Sequence, residues 1–252
     1  MNILLLTLTI LLCSGQASAH NTKISSFATA KRTLLQKVYY DHRQTIYCGA
    51  TFSRDKNVQP PLGFHTLKHK KRAGRIEWEH VVPAENFGKS FSEWREGSAV
   101  CRDSKGRSFK GRRCAQKANR TYRYMQADMY NLYPAIGAVN AMRSNYNFTM
   151  LAGKGTSSFG SCQMIIAKRK AQPPEEARGR IARTYKYMEW AYPQYSMSRQ
   201  QQKLSRAWDR QYPVSNWECT RAERIEKIQG NRNPFVAKAC QKLYATSEAL
   251  RK

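Results

Sequence analysis

Acidic side chains are scarce in this chain: 17 Asp and Glu stand against 44 Lys and Arg in 252 residues, a formal charge of +27. Such a molecule repels itself unless its partner is a polyanion, so nucleic acid is the first candidate partner and an anionic membrane or cell-wall polymer the second. Close cysteine pairs are missing as well. No Cys-x-x-Cys occurs, which argues against a structural zinc site, and no His-Glu-x-x-His occurs, which argues against a zinc protease. Internal repeats, low-complexity segments and long polar linkers are also absent, so a single domain over residues 20–252 is expected.

No Lys or Arg stands among the first nineteen residues, yet Met1 to Ala19 has the form of a signal peptide. The uncharged apolar run Ile3 to Cys13 is too short to span a bilayer comfortably, and Ala17-Ser18-Ala19 supplies a small-residue cleavage site before His20. Cys13 does not read as a lipid-modified cysteine, because Leu12 stands where such sites need a small residue. Export leaves six cysteines, Cys48, Cys101, Cys114, Cys162, Cys219 and Cys240, and an even count in an exported chain reads as disulfides. The expected location is the periplasm or the medium.

The cations cluster. Lys68, Lys70, Lys71, Arg72 and Arg75 form one group, and Arg102 to Arg123 holds nine Lys or Arg with the single acid Asp103. Either run alone reads as a solvated face, but the excess over the whole chain does not.

Phe27, Ala30, Leu34 and Val38 recur at helical spacing behind Ser25-Ser26, so the exported chain is expected to open with an amphipathic helix. Ile46, Cys48, Ala50 and Phe52 alternate and predict a strand. Residues 54–75 read as a loop, and Ile76 to Val82 as a second strand ended by Pro83, with both Glu77 and Glu79 on one face. Gly97 to Asn119 lacks periodicity and reads as a surface loop. Ile181, Tyr185 and Met188 share a helical face; Ser198 with Gln201 and Ser215 with Glu218 predict capping boxes; Gly230 ends one helix and Phe235 to Leu243 begins another. The fold class expected is α+β, with helices at both ends.

Phosphodiester hydrolysis requires an activated water, charge neutralisation on the non-bridging oxygens and help for the departing oxygen. A hard divalent cation on oxygen ligands serves the last two needs, and a neutral imidazole takes the water's proton. Glu79 and His80 stand side by side, although adjacent residues of a regular strand face opposite ways, so they converge only where the chain leaves strand geometry. Asn131-Leu132-Tyr133-Pro134 followed by Ala138 to Arg143 reads as a strand and the first turns of a helix, from which Asn140 can offer a carbonyl oxygen opposite Glu79.

Four blocks resemble the bacterial endonuclease I family of periplasmic and secreted nucleases. They are Arg75-Ile76-Glu77-Trp78-Glu79-His80-Val81-Val82-Pro83-Ala84, Asn131-Leu132-Tyr133-Pro134-Ala135-Ile136-Gly137-Ala138-Val139-Asn140, the stretch Gly179 to Met188, and Ile228 to Phe235. The resemblance runs from about Phe27 to Cys240. It implies a ββα-metal nuclease core with flanking helices, and magnesium-dependent cleavage of DNA and of RNA with little sequence preference and 5′-phosphate products. Carried over residue by residue, His80 resembles the family's general base and Glu79 and Asn140 its metal ligands. Asn131 resembles an Asn that braces the turn near the site, or simply stabilises a loop. A family arginine supports the scissile phosphate: spacing from Cys101 points to Arg107, the match at Gly111-Arg112 points to Arg112, and Arg112 is preferred. Gln126 stands where relatives can carry Glu, so this chain departs from the family there.

The family pattern also has two further cysteines, at positions filled here by Ala50 and Leu62, which implies that one whole bridge is missing. Of the pairings left open, Cys101 with Cys114 and Cys219 with Cys240 are favoured, leaving Cys48 with Cys162. A monomer is expected from the self-repulsion. The competing reading is a secreted polycation that binds DNA or lipopolysaccharide without catalysis; it explains the charge but gives Glu79, His80 and Asn140 no task. A ribonuclease without activity on DNA stays open.

Overall fold

The computed structural model describes residues 19–152 and 156–249, so the expected leader lies, up to residue 18, outside the described residues. Helix α1 (Phe27–Thr33) begins behind Ser26, whose hydroxyl accepts the Thr29 amide, and runs into a single π-helical turn, Leu34–Val38. Ala30, Leu34 and Val38 are buried, as their spacing predicts.

The strand expected over Ile46 to Phe52 does not form. Residues 46–48 make a turn closed by a single bridge of Gln44 with Thr51, and the ladder is limited to β1 (Thr51–Phe52) with β2 (Val58–Gln59). Ile46 and Tyr47 are adjacent and both buried; the alternation belongs to a tight loop that inserts consecutive side chains. Within the stretch expected to be loop, a short helix α2 (Lys70–Ala73) follows β2.

At the centre, β3 (Ile76–His80) pairs antiparallel with β4 (Leu132–Ile136), in the register Ile76 with Ile136 through His80 with Leu132. Helix α7 (Gly137–Arg143) follows β4 without a loop, so the two paired strands and this helix form a ββα unit. Gly137 is required at the junction: a side chain there would stand 2.5 Å from the Arg72 carbonyl oxygen. All five residues of β4 are buried, and Pro134 is tolerated because this two-stranded ribbon does not need its missing N–H.

The connection from β3 to β4 carries α3 (Ala84–Gly88), α4 (Ser92–Arg95), α5 (Arg112–Ala118) and α6 (Arg120–Gln126), then a 3₁₀ turn at Met129–Asn131. Helix α5 lies inside the segment expected to be loop. With one buried turn, Cys114 and Ala115, it has too little length to show a period, although Arg, Ala, Gln and Lys are good helix formers. Beyond α7, β5 (Asn147–Phe148), β6 (Ile165–Ala167) and β7 (Lys170–Gln172) make a small sheet in the order β5-β7-β6.

Four longer helices complete the α+β fold: α8 (Glu175–Ala191), α9 (Arg199–Gln211), α10 (Asn216–Gln229) and α11 (Pro234–Ala249). Ser198 and Ser215 cap α9 and α10 as expected, by accepting the Gln201 and Glu218 amides. The capping boxes are half-built, however. Gln201 donates to the Phe148 carbonyl, and Glu218 accepts a two-pronged bond from the buried Arg183 at 2.7 and 2.6 Å, so tertiary partners have taken the side chains that would close each box. Gly230, at φ +81°, ends α10. The bridges are Cys48–Cys162, Cys101–Cys114 and Cys219–Cys240, the expected pairing.

Candidate active site

Between α1, β3 and α7 lies a cleft of about 960 Å³. Its lining includes Glu79 and His80 from β3, Asn140 from α7 and Arg112 from α5, so residues from three separate stretches of chain meet there. Lys31, Arg32, Lys56 and Arg72 add positive charge to the same walls.

His80 closes β3 and is only 7% exposed, packed against Phe27 of α1 with ring centroids 4.9 Å apart. Its Nε2 lies 2.8 Å from the Gln126 carbonyl oxygen. A carbonyl only accepts, so Nε2 carries the proton and Nδ1 is left with the lone pair. Burial, with Arg112, Arg143 and Lys31 adding positive charge, pushes the imidazole from 6.5 down to about 3, and the ring is neutral at ordinary pH.

Glu79 is buried against a cation of its own chain. Its Oε1 accepts the Tyr47 hydroxyl and the Arg143 guanidinium, both at 2.6 Å, and among the described hydrogen bonds Oε2 has none. Burial raises the carboxyl above its usual range while Arg143 and Tyr47 oppose that rise. Arg143, from the end of α7, also donates to the His80 and Val81 carbonyls at 2.8 and 2.6 Å. One guanidinium thus fastens the helix to the chain at the point where β3 ends. Asn131 secures the next residue: its side chain accepts the Val82 amide at 2.7 Å and donates to the Val82 carbonyl at 3.0 Å. These contacts turn the backbone out of strand geometry right after Glu79 and His80.

Asn140 donates its amide nitrogen to Glu77 at 2.6 Å, which turns its carbonyl oxygen away from that contact. Burial pushes the Glu77 carboxyl up, but hydrogen bonds from Arg72 and Asn140 outweigh it and hold the group below the usual range. The oxygen donors of Glu79 and Asn140 therefore share one cleft, each oriented by a partner on its other atom. Among the described residues no three His, Cys, Asp or Glu side chains converge on a point. A pair of protein oxygens suits a small hard cation that keeps most of its water, as magnesium does, and does not suit a thiolate- or imidazole-caged metal.

Arg112 lines the cleft with its guanidinium 5.3 Å from the Phe27 ring centre, whereas Arg107 pairs with Asp103 at 2.8 Å on the exposed hairpin before α5 and does not line the cleft. Gln126 takes part through its backbone; its buried side-chain amide has no partner among the described residues. Three participants carried no sequence signal of their own. Glu77 was readable only as sharing a face with Glu79, and Tyr47 and Arg143 reach the site through contacts between residues 32 and 64 positions apart.

A model of the family described as endonuclease I matches residues 20–240. The chain belongs to that family. It is similar to an extracellular deoxyribonuclease of Aeromonas hydrophila, 42% identical over 232 residues that cover 89% of this chain and 94% of the relative. A periplasmic deoxyribonuclease of the same organism is 42% identical over 86% of this chain and 87% of its own length. An endonuclease-1 of Buchnera aphidicola subsp. Baizongia pistaciae (strain Bp) is 39% identical, covering 84% of this chain and 83% of its own. The chain is accordingly an enzyme of the endonuclease class, and the cleft just described is its candidate catalytic centre.

Proposed function

We propose that this endonuclease I family member hydrolyses DNA, and RNA as well, with little sequence preference, using one divalent cation held by Glu79 and Asn140 and His80 as general base. The observation that carries the reading is the meeting of a neutral imidazole, two oriented oxygen donors and Arg112 in a single cationic cleft. The relatives' names as deoxyribonucleases support DNA as the substrate.

In this reading His80 Nδ1 takes a proton from water as the water oxygen bonds to phosphorus and the bond from phosphorus to the 3′ oxygen breaks; the 3′ oxygen takes a proton from solvent to become a hydroxyl, and the other product ends in a 5′-phosphate. Nε2 remains anchored on the Gln126 carbonyl, which fixes the ring and offsets part of the charge it gains. Arg112 neutralises a non-bridging oxygen. A bound cation would supply charge neutralisation on the phosphate and on the departing oxygen. The cations around the cleft attract the backbone without reading bases, which accounts for low sequence preference.

Among the described residues no helix is long and apolar enough to cross a membrane. Three disulfides require an oxidising compartment, and relatives named extracellular and periplasmic agree, so the protein works in the periplasm or the medium, as a monomer of one catalytic domain over residues 20–252. Incubation of supercoiled plasmid with magnesium should give nicked and then linear DNA, and EDTA should stop the reaction. Retarded migration of intact plasmid, with no cleavage in any divalent metal, would instead make the protein a polycationic binder. The same assay on single-stranded RNA tests the wider substrate range.

A further inference from the structure

Five non-glycine residues among those described have positive φ, a conformation that L side chains adopt at a cost, and four of them surround one depression. They are His69 at +55°, Ser144 at +52°, Lys168 at +48° and Arg169 at +57°. The depression, about 410 Å³, is lined by these four together with Lys68 and Ala141 among others, and it shares Ala141 and Ser144 with the catalytic cleft. Backbone held in sparsely populated conformations gathers at functional sites, where the surroundings over-determine it.

The turn between β6 and β7 is the most informative part. Ala167 pairs with Lys170, so Lys168 and Arg169 are its whole loop, and both have positive φ. That is the type I′ turn of tight hairpins, whose favoured residues are Asn-Gly and Asp-Gly because those tolerate the conformation. Here two long cations occupy both positions. Neither they nor Lys68 have a carboxylate within ion-pair distance among the described residues, although Arg169 and His69 stand close enough to the cleft carboxylates Glu85 and Glu77 to add to their lowering, after the direct hydrogen bonds from Lys89 in the first case and, against burial, from Arg72 and Asn140 in the second.

We infer that Lys168 and Arg169, with Lys68 and His69, form a second seat for a backbone phosphate of the nucleic acid, beside the catalytic cleft across Ala141 and Ser144. This rests on the reading of the cleft as a phosphodiesterase centre and adds to it a positioning site remote from the reacting atoms. Two seats on either side of the Asn140 helix end hold a strand at two phosphates, which fixes its register along the cleft without contact to bases.

The test replaces the turn by the residues its geometry favours, Lys168→Asn with Arg169→Gly. Because the strain is relieved, thermal unfolding should stay at the parental temperature or rise by roughly a few degrees. On a DNA duplex of roughly two helical turns, about 20 base pairs, KM should rise roughly tenfold with kcat unchanged. The slope of log affinity against log salt, measured in EDTA, should flatten by about one to two. Hydrolysis of bis(p-nitrophenyl) phosphate, too small to reach a second seat, should be unaffected. An unchanged KM and salt slope on the duplex overturns the second seat, and so does an equal loss on the small diester, which would place the two residues in the catalytic centre itself. If the parent protein cleaves neither substrate, the reading of the cleft falls, and the second seat falls with it.

Discussion

At the residue scale, the chemistry of the cleft turns on where protons and lone pairs sit. Glu79 commits one oxygen to Arg143 and Tyr47, and Asn140 commits its nitrogen to Glu77, so in the proposed mechanism the other oxygen of each is the one that holds the cation. Replacing Glu79 by Gln or Asn140 by Ala should therefore raise the magnesium concentration needed for half-maximal cleavage by roughly one to two orders of magnitude in variants whose circular dichroism stays parental; an unchanged requirement in both would remove them as ligands. His80 makes a second prediction through its burial. An exposed imidazole in the unfolded chain binds a proton below its ordinary 6.5, whereas the folded ring does not until about 3. The unfolded state thus holds more protons between these values, and the contribution of this group to stability, complete above 6.5, is lost as pH falls toward 3. In the metal-free protein, His80→Ala should lose less thermal stability than the parent between about pH 7 and about pH 4. Parallel curves for the two proteins would contradict the buried neutral imidazole.

At the scale of elements, what was legible in the sequence was what periodicity and caps encode locally. The apolar stripe of α1, the start of β3, the serines before α9 and α10 and the Gly230 end of α10 follow from neighbours in sequence, whereas β3 ends at His80, two residues before the expected Val82, because Arg143 and Asn131 take the backbone groups of residues 80–82. The turn at residues 46–48 was illegible because its alternation mimics a strand, and α5 because about two turns of helix with only Cys114 and Ala115 buried show no period. The closing partners of the two capping boxes were lost to Arg183 and Phe148, which are distant in sequence. The site followed the same division. Glu79, His80 and Asn140 stand on elements that can be read locally, while Arg143 and Tyr47, which hold Glu79 in place, arrive through the tertiary fold. Tyr47 is also next to Cys48, whose bridge to Cys162 spans 114 residues. A crosslink over such a loop stabilises by roughly 4–5 kcal/mol in the chain-entropy account. Releasing it frees the turn that presents the Tyr47 hydroxyl. Reduction should therefore lower cleavage together with the unfolding temperature, and reoxidation should restore both. Full activity in protein shown by mass spectrometry to carry free thiols would sever the link between this bridge and the site.

At the scale of the whole molecule, a +27 chain with a neutral imidazole in the wall of a cationic cleft separates two tasks in the proposed mechanism, binding and proton transfer. In the proposed mechanism Lys and Arg on α1, α2 and α5 gather the backbone, while burial, with the charge of Arg112, Arg143 and Lys31 behind it, keeps His80 unprotonated at neutral pH and weakens it as a base, a cost that charge building on the bound phosphate offsets. Removing the imidazole should abolish the second task and spare the first. The most direct test is His80→Ala assayed on supercoiled plasmid at saturating DNA with magnesium, alongside its DNA affinity in EDTA. Loss of turnover by roughly 10²–10⁴-fold with unchanged affinity is the predicted result; turnover near that of the parent would contradict the assignment of His80 as the base.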